Sequence, residues 1–391
     1  MEGIRMRRLA FRPAMGVSNI ELFYDLIFVY CISVITSLMH NPEGGFFGVE
    51  TYALYAVDML TILQVWFFTT FLQNRYGDGG AFDNVCLFIN MFLMFFMAGC
   101  VGEGWRNSML TWNLVWAFVL IDLAVHWGIK RVRYTNLSDD DKRFMNRTIL
   151  VLAVQAAIVL VAAFVPWEIG QWLSLVAFAF GWLAFVRGHR LAGTAVRFDH
   201  LFERCSLLAI VTFGEMIVGI AGTISGGSDV IASMLVFALV VGLFLVYFFH
   251  YDRMLDHERQ DVGIGFMVLT AGLVFVISNV TVALEYLPEH EVSVAPKSIY
   301  LAVGLCAYLA LSLVLFHYNK TPFRLSGLVL ASRIIACLLI AGVALIPGAD
   351  TLTTLACDAL IVVWGALAVE YASYRKRREL VGGGRGPEEA A

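Results

Sequence analysis

The sequence has few charged residues. Only 15% of its 391 residues are Asp, Glu, Lys or Arg, and 60% are hydrophobic, whereas about 25% of a typical soluble domain is charged. A soluble fold needs a mostly polar surface, so this composition excludes an ordinary soluble protein. The net charge of −4, with no long basic stretch, gives no reason to expect a nucleic-acid partner.

Several catalytic and binding motifs are also missing. The seven cysteines occur singly, without a Cys-x-x-Cys pair, so neither a disulfide framework nor a zinc site is predicted. There is no Gly-x-x-x-x-Gly-Lys phosphate loop and no Gly-x-Ser-x-Gly motif, which argues against an ATP-driven pump in this chain. No lysine is predicted in the middle of a span, which argues against a retinal Schiff base. The sequence therefore predicts no metal site, and it does not identify a cofactor.

Long apolar stretches are present instead. Twelve of them approach the roughly 20 residues that a helix needs to cross the hydrocarbon core of a membrane. The predicted spans are 20–38, 51–73, 82–101, 109–129, 147–165, 169–186, 200–222, 230–250, 263–284, 298–317, 325–346 and 352–373. We therefore predict an all-α polytopic membrane protein, with the lipid bilayer as its first partner.

The basic residues predict how the spans are oriented. Of the 27 lysines and arginines, all but Arg106, Arg204, Lys297 and Arg333 lie at the N-terminus, after even-numbered spans or in the tail. Because Lys and Arg collect in cytoplasmic loops, we expect both termini to be cytoplasmic. In a bacterium, such a chain would be a multi-pass protein of the inner membrane.

The two halves of the chain are similar to each other. ELFYD (Glu21–Asp25) aligns with HLFER (His200–Arg204), and WFFTTFLQNR (Trp66–Arg75) aligns with YFFHYDR (Tyr247–Arg253). Six spans per half would give two parallel repeats, as in some secondary transporters. The predicted organisation is a basic N-terminus (1–19), a first six-helix repeat (20–186), a cytoplasmic linker (187–199), a second six-helix repeat (200–373) and a basic, then disordered, cytoplasmic tail (374–391).

The same two segments resemble a known family. NIELFYDLIFVYCISVITSLMH (Asn19–His40) and HLFERCSLLAIVTFGEMIVGIAG (His200–Gly222) are similar to the two hallmark segments of the bacterial low temperature requirement protein A (LtrA) family. The family signature falls on Glu21, Phe23, Asp25, His200, Glu203, Arg204, Gly214, Glu215 and Asp252. The resemblance implies a bacterial integral membrane protein, but it supplies neither a substrate nor a mechanism.

Ionisable residues inside the spans are the candidate functional groups. A charge at the bilayer centre costs about 2.5–3.5 kcal/mol, so each should face the protein interior or water and find a partner. We expect Asp25 to pair with Arg204, although these groups could instead reach the headgroup level. At ~1.5 Å of rise per residue, Glu215 and Arg333 both fall near the membrane centre, so we expect them to pair.

A secondary transporter of a small solute or ion, with proton coupling as an option, is the leading functional prediction. Substrate or proton binding is assigned to Glu215, Arg333, Arg204, Glu203 and His200. A gate or relay role is assigned to Glu21, Asp25, Asp252, Asp122 and His126. Two alternatives stay open at this point, an intramembrane enzyme acting on a lipid-like substrate and a membrane sensor or assembly protein without turnover. The substrate, the coupling ion and the oligomeric state are not predicted.

Overall fold

The computed structural model of the protein describes residues 16–40, 46–101, 105–188, 197–224, 230–259, 261–287 and 293–382. Within these ranges the chain is helical, apart from turns and one isolated β-bridge between Leu255 and Asn319. Twelve of its helices are long and apolar enough to cross a membrane. The prediction of an all-helical polytopic membrane protein is confirmed at this level, whereas the parallel repeat and the cytoplasmic termini stay predictions.

The helices are numbered in chain order. They are α1 (Asn19–Ser37), α2 (Val49–Tyr76), α3 (Ala81–Gly99), α4 (Trp105–Arg133), α5 (Asp139–Phe164), α6 (Trp167–Gly188), α7 (Phe198–Ile224), α8 (Val230–Phe249), α9 (Ile264–Glu285), α10 (Val294–Leu315), α11 (Gly327–Ala344), α12 (Thr351–Leu360) and α13 (Val369–Gly382). A π-helical turn, His250–Met254, continues α8. A π-helical segment, Ile361–Ala368, joins α12 to α13, and the three together form the twelfth span.

Several helices extend beyond the apolar stretches that predict them. The helix α5 begins at Asp139, eight residues before its predicted span, because Ser138 caps it by accepting a hydrogen bond from the Asp141 N–H at 3.1 Å. Three acidic residues in its first turn favour the same start through the helix dipole. Apolar runs therefore predict where a helix is in hydrocarbon, and capping residues decide where it begins.

The outer faces of the helices carry large apolar side chains. Phe92, Leu338 and Trp364 are each about two-thirds exposed. Polar and charged groups such as Arg204 and Arg333 are buried inside instead. This distribution is the reverse of a soluble protein, and it fits a surface that faces lipid tails.

The chain divides into two units. Unit 1 comprises Met1–Asn41, Phe47–Leu208 and Gln260–Ala271, and unit 2 comprises Pro42–Phe46, Ala209–Arg259 and Gly272–Ala391. In unit 1, α4 packs against α3, α5 and α2, and α1 packs against α2 and α3. In unit 2, α11 packs against α10, α12 and α13, and α8 packs against α12. Each unit has its own cluster of buried ionisable side chains.

Candidate functional site

The beginning of α1 presents two acidic side chains on one helix face. Ser18 is the N-cap, and its hydroxyl accepts a hydrogen bond from the Glu21 N–H at 3.3 Å. The Glu21 carboxylate accepts one from the Ser18 N–H at 2.9 Å, which completes a capping box. Asp25 lies one turn further along α1, on the same face as Glu21.

Arg204 of α7 contacts both carboxylates. Its Nη2 lies 2.5 Å from Asp25 Oδ1, and its Nη1 lies 3.5 Å from Glu21 Oε1. His200 Nε2 is 3.6 Å from Glu21 Oε2, and the Trp66 indole N–H donates to Asp25 Oδ1 at 2.7 Å. We call these five residues the Arg204 cluster. Arg204 is fully buried, and the predicted ion pair between Asp25 and Arg204 is confirmed.

A second buried cluster lies in unit 2. Arg333 of α11 forms an ion pair with Glu370 of α13, and His250 Nε2 lies 2.7 Å from Glu370 Oε1. All three side chains are buried, and we call them the Arg333 cluster. The predicted pair between Glu215 and Arg333 is therefore wrong. That prediction matched the two residues by depth alone, but the contact between α11 and α13 brings Glu370 to Arg333.

The other two residues of the Arg333 cluster are associated with π-helical backbone. His250 is the first residue of the π-helical turn that follows α8, and Glu370 comes just after the π-helical segment Ile361–Ala368. A π-helix holds one more residue per hydrogen-bonded turn than an α-helix and often occurs at functional sites. Glu370 is the residue that joins the cluster, because its carboxylate contacts both His250 and Arg333.

A third cluster joins α3 and α4 in unit 1. Lys130 Nζ lies 2.5 Å from Asp83 Oδ1 and 3.1 Å from Asp78 Oδ1, and His126 Nε2 lies 3.1 Å from Asp83 Oδ1. The sequence interpretation assigned Lys130 to a loop, but it lies within α4 and is fully buried. The correction follows from the length of α4, which continues past its apolar run, and from the two acids that neutralise the ammonium group.

Asp122 and His126 face different partners although they are one turn apart on α4. Asp122 Oδ2 accepts from Asn90 Nδ2 at 3.2 Å, whereas His126 contacts Asp83. Asn90 Oδ1 in turn accepts from the Tyr24 hydroxyl at 2.7 Å. A buried polar chain thus runs from α4 through α3 to the residue beside Asp25 on α1, and the predicted relay role of Asp122 stays a prediction.

Two further carboxylates are buried, and neither has an ion-pair partner among the described residues. Asp358 of α12 is 1% exposed, and neither of its carboxylate oxygens has a hydrogen-bond donor among the described residues. Asp58 of α2 is 3% exposed, and its Oδ1 likewise has no donor in the part of the chain that the structure describes.

The remaining predicted site residues lie in different surroundings. Glu215 is buried in α7, which continues through Gly214 without a break. Glu203 is half-buried, and its Oε2 accepts from the Val17 N–H at 3.3 Å. Asp252 is exposed, 2.7 Å from Arg253. The functional roles assigned to Glu215, Glu203 and Asp252 stay predictions.

Metal-ligating residues do not converge within the described ranges. No group of three or more His, Cys, Asp or Glu side chains there has the arrangement of a metal site. His250 and His126, which are good metal ligands by type, instead contact Glu370 and Asp83. The clusters are therefore described by the ion pairs and hydrogen bonds of their own side chains.

Comparison with known proteins identifies one family model. The model described as "Bacterial low temperature requirement A protein (LtrA)" matches residues 16–368, which is most of the chain. The match includes Glu21, Asp25, His200, Arg204 and Arg333 but ends just before Glu370. No curated protein matches the sequence. The resemblance inferred from the two hallmark segments is confirmed.

Proposed function

The chain belongs to the bacterial low temperature requirement A (LtrA) family, and from this premise we propose that it is a proton-coupled secondary transporter of a small solute. The family name does not identify the solute or the mechanism. The proposal therefore rests on the chemistry of the buried ionisable residues in a multi-pass membrane protein. A bacterial inner-membrane location is part of the proposal.

The unpartnered carboxyl group of Asp358 is the observation that carries the proposal. A side chain that carries a proton must lose and regain it, so it cannot be held permanently in its charged form by a neighbouring cation. Asp358 meets this condition, since it is 1% exposed and has no hydrogen-bond donor in the described ranges. It lies eight residues past the N-cap Asp350, at a depth of roughly 12 Å along the helix.

Asp58 is the corresponding candidate in unit 1. It lies nine residues into α2, roughly 14 Å from the helix start, and is also buried without a cation. An intramembrane acid in such a position is a functional candidate because retaining an unpaired acid in the span is costly. Asp58 and Asp358 thus give one candidate proton-binding carboxyl group in each unit.

The two arginine clusters have a different role in this proposal. Arg204 and Arg333 are already bound by carboxylates, so either would bind an anionic solute only by exchanging its present partner. We assign them as counter-charges that define the polar interior, with Glu21, Asp25 and His200 as the supports of Arg204 and with Glu370 and His250 as those of Arg333. Glu215 keeps its predicted role as a further proton or solute ligand.

Reconstitution tests the proposal. The full chain would be placed in liposomes that contain a pH-sensitive dye, and proton flux would be measured on addition of mixtures of amino acids, sugars and organic ions. We expect Asp358→Asn to abolish the solute-dependent flux without lowering stability, because a neutral amide replaces an acid that no cation contacts. Flux equal to the wild type in a folded Asp358→Asn protein would contradict coupling through Asp358.

Asp350→Asn is the matched control. Asp350 is exposed, lies on the same helix and accepts from the Thr353 N–H at 2.7 Å as the N-cap. Hydrogen bonding to Thr353 lowers the pKa of Asp350, so this control removes an ionised carboxylate while Asn preserves the cap. Glu215→Gln in the same assay separates the sequence-based candidate from Asp358.

The intramembrane-enzyme alternative is favoured by the contact between His200 and Glu21, which places a base beside an acid. In that cluster Arg204 also contacts Glu21, and Glu21 takes part in the capping box. The Glu21 carboxyl group is therefore not free for proton exchange. The enzyme hypothesis predicts that His200→Gln removes activity on a lipid-like substrate and that Asp358→Asn does not. The sensor alternative predicts no flux from any variant or from the wild type.

A further inference from the structure

A cavity of about 580 Å³ lies in unit 2, where the loops after α8 and α10 meet the start of α11. We call it the loop cleft, and its lining residues are Asp256, Arg259, Leu313, Val314, Phe316, His317, Asn319, Thr321, Arg324 and Leu325. Because α8 and α10 end here and α11 begins here, the cleft is at a boundary between hydrocarbon and water. Two of its lining residues adjoin the Arg333 cluster, since Phe316 packs against the His250 ring and Asn319 Nδ2 lies 3.5 Å from His250 Nδ1.

The two loops that form the cleft are firmly joined. Leu255 and Asn319 form a β-bridge, the Asp256 N–H donates to the Tyr318 carbonyl at 3.0 Å, and the Lys320 N–H donates to the Met254 carbonyl at 2.9 Å. Backbone hydrogen bonds in both directions fix the distance between the loops. The cleft is therefore preformed, which lowers the entropic cost of binding a ligand.

Arg259 is held in place within the cleft. Its Nη1 donates to the His317 carbonyl at 2.6 Å, its Nη2 lies 3.0 Å from His317 Nε2, and its guanidinium carbon stacks 4.9 Å from the centre of the Tyr318 ring. These contacts hold the guanidinium in one orientation. A planar, pre-organised guanidinium matches the oxygens of a phosphate group.

Arg324 supplies the second cation, and it has no ion-pair partner in the described part of the chain. Its side chain is exposed, whereas its carbonyl is bound by Arg377 Nη1 at 2.5 Å. The backbone at Arg324 is therefore anchored while the guanidinium is available. The lining has two arginine side chains and one carboxylate, that of Asp256. Its positive charge therefore exceeds its negative charge, which favours an anion.

The cleft lining also includes apolar side chains, which we call the apolar wall. Leu313, Val314, Phe316 and Leu325 line it, and Val314 and Leu325 are both exposed. A soluble phosphate compound would not use this wall. A molecule with a phosphate and adjoining hydrocarbon satisfies both the arginines and the apolar side chains.

We propose that the loop cleft binds the phosphate headgroup of a membrane phospholipid. Arg324 and Arg259 are the phosphate ligands, and the apolar wall contacts the first carbons of an acyl chain. Thr321, which also lines the cleft, is positioned to donate its hydroxyl to a headgroup oxygen. This site is independent of the proposed transport function.

Direct binding tests the assignment. Purified full-length protein in a non-ionic detergent would be titrated with short-chain dihexanoyl phosphatidylglycerol, and binding would be followed by microscale thermophoresis. We expect Arg324→Gln to weaken this binding by about tenfold, because the variant removes a charge-assisted hydrogen bond to the phosphate. Arg324→Lys should restore part of the affinity, since it keeps the charge but loses the planar fork.

Arg253→Gln is the matched control. Arg253 is exposed on the neighbouring π-helical turn and lies outside the cleft lining, so the variant removes the same net charge. Its binding should equal that of the wild type. Equal weakening by Arg253→Gln and Arg324→Gln would overturn the site, because the effect would then be general electrostatics. Thermal unfolding of each variant checks that the fold is retained.

Inorganic phosphate distinguishes the two sources of a phosphate group. We expect it to compete with the short-chain lipid only weakly, because it cannot contact the apolar wall. Competition at the affinity of the lipid would overturn the assignment to a phospholipid and indicate a soluble phosphate compound instead. Absence of measurable binding of either probe to the wild type would overturn the proposal entirely.

Discussion

Each unit buries one arginine against acid and histidine, but the two clusters are built differently. Arg204 meets two carboxylates, Asp25 and Glu21, which project from one regular α-helix. Arg333 meets a single carboxylate, Glu370, which is shared with His250. The Arg204 cluster thus has an excess of acid, whereas the Arg333 cluster has one acid between two basic side chains.

The backbone that carries the two clusters also differs. The Arg204 cluster stands on uninterrupted helices, while in the Arg333 cluster His250 lies in a π-helical turn and Glu370 lies just after a π-helical segment. Irregular turns have fewer ideal hydrogen bonds and rearrange at lower cost than a regular helix. We infer that the Arg204 cluster fixes the fold of unit 1 and that the Arg333 cluster belongs to the part of unit 2 that changes during function.

The largest expected effect comes from removing each arginine. Arg204→Met should lower the free energy of unfolding by about 4 kcal/mol, because Asp25 then loses its cation and, of the two buried carboxylates, only Glu21 keeps a basic neighbour, His200. Arg333→Met should cost about half as much, since His250 remains beside Glu370. Unfolding of both variants in detergent micelles measures the difference. An equal or larger loss for Arg333→Met would contradict the comparison.

Within the Arg204 cluster, the two carboxylates should contribute unequally. Asp25→Asn should lower the free energy of unfolding by about 3 kcal/mol, because it breaks the 2.5 Å contact with a fully buried arginine. Glu21→Gln should cost about 1 kcal/mol, since Glu21 is further from Arg204 and Gln preserves the capping box. The same unfolding assay measures both variants. Equal losses of stability would contradict the expectation that Glu21 contributes less than Asp25.

The smallest effect is expected in the π-helical segment of unit 2. Gly365→Ala adds a Cβ that would meet only the Ile361 side chain, at 4.0 Å, so there is room for it. Replacing a helical glycine by alanine should stabilise by about 0.5–1 kcal/mol. If this segment moves during transport, the more stable variant should also transport more slowly. Gly214→Ala in regular α7, where nothing lies within 4 Å, is the control that should stabilise without slowing transport.

Local sequence features predict the twelve helices and one of the clusters. Span length and apolarity are properties of neighbouring residues, so hydropathy identifies α1 to α12 without knowledge of packing. The pairing of Asp25 with Arg204 follows from two aligned motifs, each with its ionisable residues four apart on one helix face. The helix ends and the twelfth span's π-helical segment depend on caps and packing, and hydropathy does not report them.

The partners of the other buried charges could not be predicted from depth alone. Glu215 and Arg333 are at similar depths, but helix packing brings Arg333 to Glu370, a residue that hydropathy treats as the end of a span. Lys130 looks like a loop residue until Asp83 and Asp78 are seen beside it. An acidic residue just before the basic run at Arg375 was the available signal for Glu370.

The twelfth span is longer than the hydrocarbon core of a membrane is thick. Thr351–Leu380 contains 30 residues, roughly 45 Å of helix against about 30 Å of hydrocarbon, so its end projects beyond the bilayer. The span carries Asp358, Glu370 and Arg377 in that order along its length. The Arg377 guanidinium donates hydrogen bonds to the carbonyls of Pro322 and Arg324. A displacement of α13 would therefore act on the loop before α11 through the hydrogen bonds of Arg377.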